Sequence, residues 1–296
     1  MTVSIDVLTV GRASYDLTYT VDAHPQPDEK LFASAFTGCG GGPAANGAVA
    51  VARLGGTAVF AGYLGDDPFG RLHREELRAE GVRTDWIVSG ASPTPLSTII
   101  AKPDGRRALI AYQADTPPLP AGSIDFAALQ PAVILFDGHE PALSLPLAAW
   151  ARARQIPTVL DAGSVHPGTT QLAGRVDYLL CSEKFARQQT GEDDPRAGLR
   201  RLGDLAPHIV VTLGARGLFW KVGDSTGELP AYPVKGVDTT GAGDTFHGAF
   251  AWCLARKMGW EESLAFASAA AALCCTRHGA RPGIPRYAQV AQMVTP

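Results

Sequence analysis

The residues best suited to chemistry lie in one late segment, PVKGVDTTGAGDTFHGAFAWCLARK, residues 233–257. It runs into an apolar helix through residues 249–254, so Gly241, Ala242 and Gly243 stand at a helix entrance. There several backbone N–H groups lack intrahelical acceptors and the helix dipole is positive. Small residues let a phosphate approach those donors closely. Asp244 at that spot would repel a phosphate on its own. The conflict resolves if a third group meets both. Asp244 then accepts the proton of an attacking hydroxyl, while the amides stabilise charge on the transferring phosphoryl group. On GAGD alone a plainer reading stays equally open, with Asp244 as a helix cap and the glycines as a tight turn.

A second segment, residues 40–46, reads GGGPAAN and opens an Ala/Val helix. Its glycines would let a ligand lie against backbone, and Asn46 offers both donor and acceptor to a hydroxyl. Loop-to-helix packing is the competing role. His139, beside Glu140 and just after a strand-like run, is placed to line a cleft or merely to fill a loop. Lys30, Arg106 and Arg107 are candidate contacts for an anion, with surface solvation as the arginines' alternative. Residues 223–227 spell GxSxG, but a proline-containing extended stretch follows instead of the helix a nucleophile elbow needs. No GxxxxGK[ST] occurs, which excludes a P-loop. The seven histidines show no paired ligand spacing, and His247 is read as packing or hydrogen-bonding within its helix.

The elements that must hold these residues alternate. Residues 5–10, 58–63, 133–136, 158–160, 178–181 and 209–212 are apolar runs that read as buried strands. Helical spacing fills 44–54, 70–80, 147–154 and 195–205, and residues 244–282 read as almost wholly helical. Strands apolar on both faces, alternating with helices, predict an α/β fold whose parallel sheet is covered on both sides. Two regions break the rhythm. Residues 15–36 are strand-like, polar and proline-rich, and 96–112 read as a hairpin turning at Pro103-Asp104-Gly105. Neither adjoins a crossover helix, so they predict a small separate sheet acting as a lid or an oligomer surface.

Composition narrows the classes further. The 296 residues carry 26 basic and 29 acidic side chains, a net charge of −3 that argues against nucleic-acid binding through a basic face. At 46% apolar and 19% charged, the chain is not of disordered type. No apolar run is long enough to span a membrane, and Asp6 inside the first apolar stretch argues against a signal peptide. Five cysteines, an odd number without a CxxC, predict reduced thiols in a cytoplasmic protein.

DTTGAGD, residues 238–244, resembles the C-terminal signature of the ribokinase-like (PfkB) carbohydrate kinases. GGGPAANGAVAVARLGG, residues 40–56, is similar to the family's N-terminal signature. GDDPFG, residues 65–70, and VTLGARG, residues 211–217, look like its GDDxFG turn and its nucleotide-side loop, so the resemblance spans residues 7–285. It implies one domain over residues 1–296. That domain would have a doubly wound, mostly parallel α/β core and a small β lid from about residues 12–37 and 95–114. It implies transfer of the ATP γ-phosphoryl group to a hydroxyl of a ketose, sugar acid or sulfosugar, with Mg²⁺ and a K⁺ site, while the two unpaired β regions predict a homodimer formed through the lid. By resemblance, Asp244 is the base, and Gly241, Ala242 and Gly243 form the anion hole. Asp16, Gly41, Gly42 and Asn46 hold the sugar, Thr212, Gly214 and Gly217 flank the nucleotide, and Asp238 is a monovalent-cation ligand. The tail at residues 275–285 is similar to that of the sulfofructose kinases. Lys30 falls where they place a lysine on the sulfonate, but their asparagine and arginine face Ala111 and His139 here. The family's Asn-x-x-Glu motif also has no match in residues 180–184, LCSEK. A non-catalytic sugar sensor of the same fold and a nucleoside kinase are the competing functions.

Overall fold

The apolar runs do pair side by side. The computed structural model describes residues 3–102, 107–113 and 116–295. In chain order its first half comprises β1 (Val3–Val10), β2 (Ser14–Thr20), β3 (Ala35–Gly41), α1 (Pro43–Arg53), β4 (Ala58–Gly65), α2 (Pro68–Ala79), β5 (Ile87–Gly90), β6 (Leu96–Ala101) and β7 (Arg107–Tyr112). Next come β8 (Leu129–Phe136), α3 (Pro141–Ala153), β9 (Thr158–Ala162), α4 (Pro167–Ala173), β10 (Tyr178–Ser182), α5 (Glu183–Thr190), α6 (Pro195–Leu202) and β11 (His208–Thr212). The chain closes with β12 (Leu218–Val222), β13 (Ser225–Leu229), α7 (Ala242–Ala255), α8 (Trp260–Cys274), α9 (Ala280–Gly283) and α10 (Tyr287–Val294).

Nine strands form the main sheet in the order β13-β12-β11-β10-β9-β8-β1-β4-β5. All neighbours are parallel except the terminal antiparallel pairs β11–β12 and β12–β13. Successive side chains point to opposite faces. Val133 and Leu135 of β8 therefore pack with Val51, Phe246 and Phe250 under α1 and α7. Ile134 and Phe136 pack with Leu147, Leu172 and Phe185 under α3, α4 and α5. The chain leaves β1 toward β4 on one side and later resumes from β8 on the other. This reversal between β1 and β8 opens a crevice beyond their carboxyl ends, where ligands of open α/β sheets bind.

The second sheet has the order β3-β2-β6-β7. The expected single strand-like region at 15–36 is two strands, β2 and β3, joined by an irregular loop of residues 21–34. β6 and β7 pair antiparallel as expected, while Arg106 and the predicted turn at Pro103, Asp104 and Gly105 lie outside the described residues. β1 leads directly into β2, and β3 runs through Gly42 into α1, so the small sheet is rooted at the crevice.

Local departures have local causes. α3 starts at Pro141 rather than at 147 because it carries Pro146 inside. The N–H that Pro146 lacks would have reached only to the first turn, so the loss is one bond. α1 and α7 approach glycine on glycine. A methyl added to Gly248 would lie 2.5 Å from the Gly47 carbonyl oxygen and 2.9 Å from its Cα. This close contact brings residue 46 to the start of α7.

Candidate active site

Gly241 caps α7 in the left-handed region, at φ 77°, where glycine avoids the usual steric cost. Its carbonyl takes the Thr245 N–H at 2.8 Å, and the Ala242 N–H turns back to Thr239 O at 3.3 Å. The amides of Gly243 and Asp244 have no protein acceptor among the described residues. A Cβ on Gly243 would meet no atom within 4 Å. Two free N–H groups, the positive end of a 14-residue helix and open space beside a glycine are what a phosphoryl group requires.

Asp244 sits in that first turn, half-buried. Asn46 Nδ2 donates to its Oδ2 at 2.7 Å. The Asn46 amide is fixed in turn by Arg281 Nε, which donates to Oδ1 at 3.2 Å. Arg281 is 2% exposed, lies 3.2 Å from His73 Nε2, and faces Glu76 at 3.5 Å. Burial pushes the Asp244 carboxyl above its ordinary range, while the Asn46 hydrogen bond and the nearby His247 and Arg281 oppose the rise. A carboxylate so held is a better proton acceptor than one in water.

The wall facing Asp244 is built by the root of the small sheet. Asp16 on β2 is 6% exposed and accepts from Ser14 Oγ at 3.1 Å. A Cβ on Gly41 would come within 2.3 Å of the Asp16 carboxylate, so that glycine and that acid require each other. Gly42, at φ 93°, caps α1 and is the turn that delivers Asn46. Burial raises the Asp16 carboxyl too, and Asp244 adds to the rise. Asp16, Gly41, Gly42, Asn46 and the 241–244 turn thus share one site.

Two further acids line the strand ends. Asp137, after β8, accepts from the amides of Arg12 at 2.7 Å, Ala44 at 3.1 Å and His139 at 2.8 Å. It ties together β1, the start of α1 and the β8 end. Asp161, at the end of β9, lies 3.2 Å from His247 Nδ1. Burial, with Asp244 and then Asp137 nearby, drives the Asp161 carboxyl well above its ordinary range. His247 is 2.6 Å from Gly243 O and 3.1 Å from Leu180 O, and burial lowers its pKa.

The remaining candidates spread along the rim. Thr212 ends β11 and donates to Cys181 O at 3.3 Å. Gly214 and Gly217 bracket a short 3₁₀ turn, and a Cβ on Gly217 would strike Leu229 O at 2.0 Å. Next to this loop Ser182 caps α5 by accepting the Phe185 N–H at 3.0 Å, and Glu183 pairs with Arg216. Residues 180–184 are thus spent on a cap and a surface ion pair. Asp238 accepts from Thr240 N at 2.9 Å and Gly279 N at 2.8 Å. Arg107 on β7 reaches across to Asp238 at 3.3 Å and to the Thr240 hydroxyl. Burial alone would raise Asp238, but these hydrogen bonds and Arg107 hold it below its ordinary range. Arg107 therefore faces the phosphoryl side, and Lys30 lies out on the exposed 21–34 loop over the Phe32 ring. His139 stacks on His166 at 4.6 Å beside the crevice. Residues 223–224 turn the β12–β13 hairpin and 225–227 open β13, with no helix following Ser225.

Sequence reasoning passed over Arg12, Asp137, Asp161 and Arg281. The usable signal was position, since a polar residue closing an apolar parallel strand faces the crevice. Arg281 gave no such signal, because its burial depends on α1 and α2 together.

Residues 4–286 match the pfkB family carbohydrate kinase model. The chain is 28% identical over 295 residues to a ribokinase of Bacillus subtilis, covering 98% of this chain and 99% of the relative. It is 32% identical over 294 residues to fructokinase-1 of Zea mays, covering 88% and 90%. The structure of Arabidopsis thaliana ribokinase complexed with ribose and ATP superposes with a TM-score of 0.86 at 26% identity, over 98% of this chain and 99% of the other. With that match spanning both the glycine-rich loop and the α7 entrance, the chain belongs to the pfkB family of carbohydrate kinases, phosphotransferases with an alcohol acceptor.

Proposed function

We propose that the protein transfers the γ-phosphoryl group of ATP to a hydroxyl of a ketose, sugar acid or sulfosugar. One observation carries this reading: a half-buried carboxylate, Asp244, shares a helix turn with two unpaired amides and is oriented by Asn46. Asp16, Gly41, Gly42 and Asn46 hold the acceptor hydroxyls. Asp244 takes the proton as the new O–P bond forms, and the Gly243 and Asp244 amides stabilise the phosphoryl oxygens. Thr212, Gly214 and Gly217 flank the nucleotide.

ATP brings the phosphoryl group, and Mg²⁺ would neutralise its developing charge. Among the described residues no three acidic, histidine or cysteine side chains converge into a metal cage. The donor set therefore suits an ion carried chiefly by the triphosphate, with Asp137, Asp161 and Asp244 as hard oxygens nearby. Asp238 as a K⁺ ligand belongs to the same proposal, although Arg107 already answers much of its charge. A lid-mediated homodimer is supported by Phe36, Leu109, Ile110 and Tyr112, apolar residues of the small sheet that are 53–62% exposed. Five unpaired cysteines support a reducing, cytoplasmic setting.

An ADP-release assay with ATP and a panel of ketoses, aldonic acids, sulfosugars and nucleosides tests this reading. Acceptor-dependent ADP formation on a sugar is expected. Sugar binding without ADP would identify a sensor, and turnover on adenosine alone would identify a nucleoside kinase.

A further inference from the structure

A second pocket adjoins the acceptor loop, with Arg12, Tyr63, Gln113, Thr116, His139 and Glu140 on its walls. Its water-accessible volume is about 30 Å³, roughly two water-sized positions. The Arg12 backbone runs directly behind the sugar loop. Its carbonyl accepts the Ala45 N–H at 3.4 Å and would be struck at 2.5 Å by any Cβ on Gly42.

The Arg12 side chain is half-buried, and its guanidinium has no hydrogen-bond or ion-pair partner among the described residues. The other partly or fully buried arginines are all engaged. Arg53 binds Glu80, Arg74 the Ser89 hydroxyl, Arg83 Asp85, and Arg281 Asn46 and Glu76. The nearest acids do not satisfy Arg12. Asp137 spends its oxygens on three backbone amides, and Glu140 accepts the Leu119 N–H at 2.5 Å. Burial, followed by Asp137, pushes the Glu140 carboxyl up to about 7, so near neutrality it answers only part of the arginine's charge. A half-buried, unpaired guanidinium lining a pocket is a set of donors that a ligand's oxyanion can complete.

We propose that Arg12 is a specificity-determining residue, its guanidinium receiving a terminal oxyanion, carboxylate or sulfonate, of the acceptor. The pocket has room for the two oxygens of such a group, and Gln113 and His139 offer further donors. This rests on the kinase reading above and narrows its acceptor to acidic sugars. It also assigns the anion to a residue other than Lys30 or Arg107, which face elsewhere.

The test uses D-fructose, D-fructuronate, whose C6 is a carboxylate, and 6-deoxy-6-sulfofructose. Binding is read by calorimetry without ATP, and turnover by ADP release with it. The wild type is expected to favour at least one acid over fructose by about 10–100-fold in Kd and kcat/KM, the range of a charged hydrogen-bonded pair. Arg12→Gln should collapse that ratio to within about threefold, and Arg12→Lys should restore part of it. Which acid wins separates carboxylate from sulfonate. Equal binding of fructose and both acids by the wild type overturns the proposal, as does a ratio unchanged in a folded Arg12→Gln. Failure of the kinase reading looks different, with no ADP formed on any acceptor while calorimetry still reports the Arg12 ratio.

Discussion

A methyl group at Gly248 should slow catalysis without touching the site. In Gly248→Ala the new Cβ would lie 2.5 Å from Gly47 O and 2.8 Å from the Ala50 Cβ. A backbone carbonyl cannot swing away, so α1 and α7 must part by about 0.5–1 Å to recover normal contacts. Overpacking of this kind costs about 1–3 kcal/mol, and alanine's better helix propensity returns about 1. The net loss of roughly 0–2 kcal/mol lowers Tm by a few degrees at most. At the site the same movement stretches the 2.7 Å Asn46–Asp244 bond beyond the range of a charge-assisted hydrogen bond. Such a bond is worth about 1.5–3 kcal/mol, so kcat should fall about 10–100-fold. Gly47→Ala is the control, since its Cβ meets only the tip of Leu135 Cδ2 at 3.0 Å, which can yield. Initial rates at saturating ATP and acceptor, with thermal unfolding of both variants, settle the matter. If Gly248→Ala keeps kcat within about twofold while Tm drops as expected, helix spacing does not set the base.

Four further outcomes are expected. Asp244→Asn should retain the fold and acceptor binding but lose about 10²–10⁴ in kcat, and near-normal turnover would remove Asp244 from the chemistry. Because the Asn46 hydrogen bond lowers an Asp244 carboxyl that burial raises, Asn46→Ala should move the acidic limb of the kcat–pH profile upward, as steady-state rates across pH will show. Glu140 is held at about 7 against an ordinary 4.5, so the folded state keeps its proton longer than the unfolded chain. Stability present below 4.5 is then lost as pH rises toward 7, by about 3 kcal/mol, and Glu140→Gln should flatten Tm across that interval. Asp161 is raised in the same sense, so Asp161→Asn should raise Tm at neutral pH relative to the wild type, with the advantage shrinking in acid.

What the sequence showed depended on how local each feature is. The strands at 133–136 and 209–212 are apolar on both faces because helices cover both, and so they stood out as continuous runs. β13, read from its sequence STGEL, is a polar edge strand largely in solvent, and only its pairing with β12 makes it a strand. Pro146 masked the first half of α3, because a proline's cost depends on its position in the helix. The two glycine-rich segments were legible because each is contiguous, with its function in the backbone itself. Asp137, Asp161 and Arg281 act from separate elements, and no spacing within one segment brings them together. Lys30 and Arg107 were chosen for charge, yet charge does not say where a long side chain lands. Arg107 reaches the 238–240 turn, whereas Lys30 stays on a loop.

The crowding of Asp137, Asp161 and Asp244 at one rim is a charge problem with an ordered solution. Neighbouring like charges repel, and the cheapest remedy is for one site to favour its protonated form. Asp137 is tied down by three backbone amides. Asp244 is favoured as an anion by the Asn46 amide, by His247 and Arg281, and by its own helix entrance. Asp161 faces His247, itself pushed toward neutrality by burial, and burial with Asp244 and Asp137 nearby drives it well above its ordinary range. The negative charge is thereby concentrated on the carboxylate beside the free amides. In the proposed mechanism, proton transfer from the acceptor hydroxyl to Asp244 would relieve repulsion at the rim as charge develops on the phosphoryl oxygens. The cost in stability of crowding these acids would then be recovered in part at the transition state, which is where a phosphotransferase gains rate from it.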